Sequence, residues 1–152
     1  MNDDLMLKNQ LCHRFYTVSN AFSRAYRPLL AKLDITYPQY VVLMSLWESE
    51  GITISDLVEH TQIDSGAMSL ILKKLTSKGF LTVSQAQDDK RVKIVSLTAY
   101  GRKMRATASN IPQQMRCDIA ALSDSQARTL IELIDKLSSG LQRSLCQREN
   151  ES

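Results

Sequence analysis

Phe15, Val18, Phe22, Ala25, Leu29 and Leu33 recur at steps of three and four, the period of one face of an amphipathic helix. The pattern predicts a first helix from about Leu5 to Leu33, with Pro28 bending it or ending its regular part. Three positions before Phe15 stands Cys12, so a thiol falls on or at the edge of that stripe. A second helix is predicted from Thr36, which forms a capping-box pattern with Gln39 ahead of the apolar run Tyr40 to Trp47, and it ends near Gly51. Thr53 and Asp56 repeat the pattern and open a short helix through about His60. Asp64 is the next N-cap, for a helix that stops at Lys78-Gly79. Two short helices so closely joined have helix-turn-helix spacing.

The period then changes. Phe80 to Ser84 reads as a strand, Gln85 to Arg91 as a polar turn, and Val92 to Leu97 as a returning strand with imperfect alternation. Thr98 caps a further helix running past Met104, with Pro112 as a kink. Ser123 and Gln126 cap the last helix, whose stripe is Leu130, Ile134, Leu137, Leu141 and Leu145. The predicted fold is mainly α with a small β-hairpin: a winged helix-turn-helix lobe at about 36–105, flanked by helical arms at 1–33 and about 112–152, in a single domain. The arms carry more apolar surface than one central core needs, and a homodimer interface is the economical use of it.

Charge sharpens this picture. The 152-residue chain has a net charge of only +3. Yet Asp34 to Asp64 holds six acids and no Lys or Arg, whereas Lys73 to Arg105 holds nine bases and two acids. A concentrated basic block is the electrostatic footprint of a polyanion site. The helix from 64 to 78 packs through Met68, Ile71, Leu72 and Leu75, which leaves Ser65, Gly66, Ser69, Lys73 and Thr76 for the major groove of double-stranded DNA. At the hairpin tip stand Asp89, Lys90, Arg91 and Lys93. Arg91 suits the narrow minor groove, and Asp88 or Asp89 is expected to hold its guanidinium through a bidentate pair. No apolar run approaches the length needed to cross a bilayer, and the acidic start lacks a signal-peptide core, so a cytoplasmic location is expected. No metal-ligand spacing, phosphate loop or Ser-His-Asp arrangement is visible, and neither a cofactor nor an enzymatic activity is expected.

Asp89-x-Arg91-x-x-x-Val95-x-Leu97-Thr98 matches the wing signature of the multiple-antibiotic-resistance regulator (MarR) family, and the element order is similar over nearly the whole chain. The resemblance implies a dimeric transcription factor on a pseudo-palindromic operator, responsive to a small molecule or an oxidant. The N-terminal third resembles the organic hydroperoxide resistance regulators, through Asn9-Gln10-Leu11-Cys12, Tyr16, Tyr26-Arg27-Pro28-Leu29-Leu30 and Leu33 to Tyr40. That branch implies a peroxide-sensing thiol at Cys12, with Tyr26 and Tyr37 as hydrogen-bond donors to its thiolate and Tyr16 as a nearby helper. It implies organic hydroperoxides as effectors and a repressor released from DNA by oxidation.

Peroxide attack needs a thiolate, which phenolic donors favour, and gives a sulfenic acid. An odd count of three cysteines without a signal peptide points to a reducing compartment, where a disulfide is a switch. Cys117 looks like the second cysteine of the two-cysteine regulators, which close an intersubunit disulfide. Cys146 or a small thiol is the alternative resolver. Two other readings remain at this point: a regulator binding an aromatic ligand with Cys12 only packing, and a thiol peroxidase, which leaves the basic elements without a purpose.

Overall fold

In a computed structural model, which describes residues 5–150, the chain forms two compact units, 1–115 and 116–152. A 3-10 turn at Leu7–Asn9 precedes helix α1, Leu11–Ala31. The expected start at Leu5 is therefore too early, because Gln10 is extended (φ −86°, ψ 112°) and separates the turn from the helix. Pro28 lies inside α1, which continues through it.

The helices for which a cap was identified start where that cap predicts. In α2, Tyr37–Glu48, the Thr36 backbone N–H donates to Gln39 Oε1 at 3.1 Å. Before α3, Ile54–Thr61, Thr53 and Asp56 satisfy each other's backbone N–H groups at 3.0 and 3.1 Å. Asp64 accepts the Ala67 N–H at 3.0 Å to open α4, Ser65–Ser77. Thr98 accepts the Gly101 N–H at 3.0 Å to open α5, Ala99–Ala108.

The hairpin of β2, Leu81–Gln85, and β3, Lys93–Leu97, is joined by a two-residue strand β1, Ile52–Thr53. The antiparallel order is β1-β3-β2, with Val95 opposite both Ile52 and Val83. The core gathers Leu30 from the last turn of α1, Leu33 just after it, and Tyr40, Val42, Leu43 and Leu46 from α2. It adds Leu57 from α3, Met68, Leu72 and Leu75 from α4, and Phe80, Leu81, Val95 and Leu97 around the sheet. The chain breaks at Ser109-Asn110 rather than kinking at Pro112, which sits in the first turn of α6, Ile111–Asp118. Proline is well placed there, where its missing N–H has no helical partner to lose.

In the unit 116–152, Ser123 and Gln126 cap α7, Asp124–Asn150, reciprocally at 2.9 and 3.3 Å. The stripe residues Leu130, Ile134, Leu141 and Leu145 are exposed in the single chain, as are Phe15, Val18 and Phe22 of α1. Among the described residues, no helix is long and apolar enough to cross a membrane.

Candidate nucleic-acid interface and thiol site

Helix α4 divides as its sequence dictates. Met68, Leu72 and Leu75 are buried and Ile71 packs half-buried against them. Ser65, Gly66, Ser69, Lys73 and Thr76 are all exposed. The Ser69 hydroxyl donates to the Ser65 carbonyl at 3.0 Å, which leaves its lone pairs outward. Leu70 is also on this face, 65% exposed, and the apolar pattern did not single it out. At the end of the helix Lys78 is tied to Asp34, in the turn between α1 and α2.

The wing is closed by two backbone bonds, Ala86 N–H to Val92 O at 2.9 Å and Val92 N–H to Asp89 O at 3.0 Å. Asp89, Lys90, Arg91 and Lys93 are exposed around it. The expected bidentate pair between Arg91 and an aspartate is not formed. Asp89 instead accepts the Arg91 backbone N–H at 2.9 Å, because a short carboxylate two residues upstream reaches the main chain more readily than a long side chain. The aspartate thus shapes the turn, and among the described residues no carboxylate holds the guanidinium.

Cys12 is exposed in the first turn of α1, and Tyr16, one turn later, is exposed on the same side. Tyr26 and Tyr37 are brought together, their ring centroids 4.6 Å apart, and Tyr40 lies 6.1 Å from Tyr26. Burial raises the Tyr26 hydroxyl above the ordinary tyrosine pKa, with Tyr37 and then Tyr40 adding to the effect. Burial likewise raises Tyr40. A phenol held protonated keeps the O–H that a thiolate partner must donate. The structure does not bring Tyr26 to Cys12 within one chain: fourteen residues of continuous helix separate them by about 21 Å along the axis. Cys117, near the end of α6, and Cys146, in α7, are both free and exposed.

Residues 35–93, from just before α2 to the start of β3, match the MarR family. The chain is 39% identical to the organic hydroperoxide resistance transcriptional regulator of Bacillus subtilis, over 72% of this chain and 75% of that protein. It belongs to the MarR family. Like other MarR-family proteins it is a DNA-binding transcriptional regulator with a winged-helix fold. Solved structures of AbfR match across most of the chain. Overoxidized AbfR bound to DNA gives a TM-score of 0.73 at 32% identity, covering 89% of this chain and 94% of that one. Disulfide-formed AbfR gives 0.61 at 30% identity, covering 86% and 91%.

Proposed function

We propose that this MarR-family regulator is a cytoplasmic, thiol-based repressor that organic hydroperoxides release from a pseudo-palindromic operator. The observation that carries the reading is the exposed Cys12 thiol in the first turn of α1, one turn from Tyr16. The similarity to the Bacillus subtilis regulator supports an organic hydroperoxide as the effector, and the DNA-bound and disulfide-formed AbfR structures support thiol control of DNA binding.

Since Tyr26 lies about 21 Å along the same helix from Cys12 and packs against Tyr37, the second chain of a homodimer must supply both phenols. The exposed stripes of α1 and α7 support residues 1–33 and about 112–152 as the dimer arms, with 36–105 as the DNA-binding lobe. The operator is held by Ser65, Gly66, Ser69, Lys73 and Thr76 of α4 and by the wing residues Lys90, Arg91 and Lys93, with Asp89 fixing the turn.

The Cys12 thiolate attacks the distal peroxide oxygen. The O–O bond breaks, sulfur keeps one oxygen as sulfenic acid, and the alkoxide leaves and is protonated to the alcohol. The thiol of the partner's Cys117 then displaces water from the sulfenic acid to give an intersubunit disulfide. The two sulfurs must come within about 2 Å, so helices that carry the lobes move and the two α4 copies leave the one-turn spacing of DNA.

The test measures binding to duplexes enriched from a random pool, with and without cumene hydroperoxide, for the wild type and Cys12→Ser. The wild type should lose binding and recover it with dithiothreitol, while Cys12→Ser stays bound throughout. Wild-type binding that ignores the peroxide, or a Cys12→Ser protein released equally well, overturns the reading.

A further inference from the structure

We propose that Leu70 reads thymine C5-methyl groups in the major groove, an inference that rests on α4 being the helix that enters it. Leu70 stands two residues from each of the buried anchors Met68 and Leu72, which turns it roughly 160° from both. It therefore projects from the side of α4 opposite the core, with 65% of its surface exposed. One turn before it is Gly66, with no side chain, so base edges can approach the backbone beside Leu70. One turn after it come Lys73 and Lys74, both exposed and suited to the flanking phosphates.

A single exposed leucine on an ordinary surface asks for no explanation. Here it is the one large apolar group amid the polar and cationic positions of a groove-facing surface. Base edges in the major groove offer hydrogen-bonding atoms throughout and one apolar feature, the thymine methyl. Leu70 can make no hydrogen bond, so its preference falls on that methyl, and contact there removes apolar surface from water on both sides.

The probe is the set of duplexes that the reduced wild type enriches from a random pool. Each thymine is replaced in turn by deoxyuridine, which deletes the methyl and leaves every hydrogen-bonding edge intact. At one or more positions in each half-site the wild type should bind about fourfold more weakly, the equivalent of burying one carbon, about 0.8 kcal/mol. Leu70→Ala, which removes an exposed side chain and leaves the core untouched, should bind thymine and uracil duplexes equally at those positions. Uracil penalties absent from the wild type, or identical in Leu70→Ala, overturn the assignment. If Lys73→Ala weakens binding in that same assay, the groove-facing role of α4 survives and only the leucine contact is lost. If neither variant changes affinity, α4 is not the reading helix and both fail. All measurements are made with thiol reductant present, so they are independent of peroxide sensing.

Discussion

Lys78, just past the last turn of α4, donates to the backbone carbonyl of Asp34 and pairs with its carboxylate at 2.9 Å. Asp34 holds the turn between the cysteine-bearing helix and Tyr37 at a left-handed φ of 51°. The bond thus joins the end of α4 to the turn that follows α1. Because the carboxylate is exposed, Asp34→Asn should cost under about 1 kcal/mol, since asparagine tolerates the left-handed region. Asp34→Val should cost about 1–2 kcal/mol more, because a β-branched residue is forced into that region. Urea denaturation of the two variants checks this, and equal midpoints would remove the backbone argument.

Gly101 admits no side chain. A Cβ built there would lie 2.0 Å from the Phe80 carbonyl oxygen, a backbone atom that also accepts the Thr98 N–H at 3.0 Å. Gly101→Ala should gain up to about 1 kcal/mol of helix propensity and lose more through forced separation of α5 from the hairpin. A net loss of about 1–3 kcal/mol is expected. Thermal denaturation giving a melting temperature at or above the wild type's would contradict the close packing.

Arg91→Ala should weaken operator binding and lower the magnitude of the salt slope by about one per wing. Titration of binding against potassium chloride reads both quantities. Unchanged affinity and slope would place the wing away from the phosphates. Asp89→Ala should produce a smaller loss, since Asp89 organises the turn through the Arg91 N–H and does not hold the guanidinium.

Cys117→Ser should still form sulfenic acid at Cys12, seen by dimedone labelling and mass spectrometry, but no intersubunit disulfide on non-reducing gels. A covalent dimer that persists in this variant assigns the resolving role to Cys146.

The Thr53–Asp56 capping box predicts a specific acid sensitivity. Hydrogen bonds from the Thr53 side chain and backbone hold the Asp56 carboxyl below the ordinary aspartate value. A depressed folded-state pKa contributes stability that is fully present above about pH 3.9 and fades as pH falls through the depressed value. The stability gap between the wild type and Asp56→Asn should therefore be constant near neutrality and shrink below about pH 4. Chemical denaturation across that range checks it, and a gap that widens on acidification has the wrong sign.

Helix starts were legible because a cap is a local device, written in residues three apart such as Thr36 and Gln39 or Ser123 and Gln126. The start of α1 was not, since Leu5 and Leu7 extend the apolar count while Gln10 turns the backbone away. Strand β1 left no period to read, because two residues pressed between Gly51 and a helix show no alternation. The break at Ser109-Asn110 had a signal, a short polar pair ahead of Pro112, which fits a helix start better than a kink. At the candidate site, α4 and the wing were visible through charge and spacing. The Arg91 environment depended on a contest between main chain and side chain for one carboxylate, which spacing does not decide. Leu70 fell in neither the apolar face of Met68, Ile71, Leu72 and Leu75 nor the polar positions of the helix, and only its exposure sets it apart.

The chain of ring contacts at the tyrosine pair reaches further than the pair itself. From Tyr37 and Tyr26 it passes through Tyr40 to Trp47, whose centroid lies 6.2 Å from that of Tyr40 and whose indole N–H donates to the Gly101 carbonyl at 3.0 Å. Trp47 is the sole tryptophan in the chain. The protein therefore carries its own optical reporter, with tyrosine donors in energy-transfer range of one indole acceptor whose hydrogen bond leads toward the wing. Excitation of the phenols with detection at the indole gives an unlabelled readout of any rearrangement that begins at Tyr26 and Tyr37.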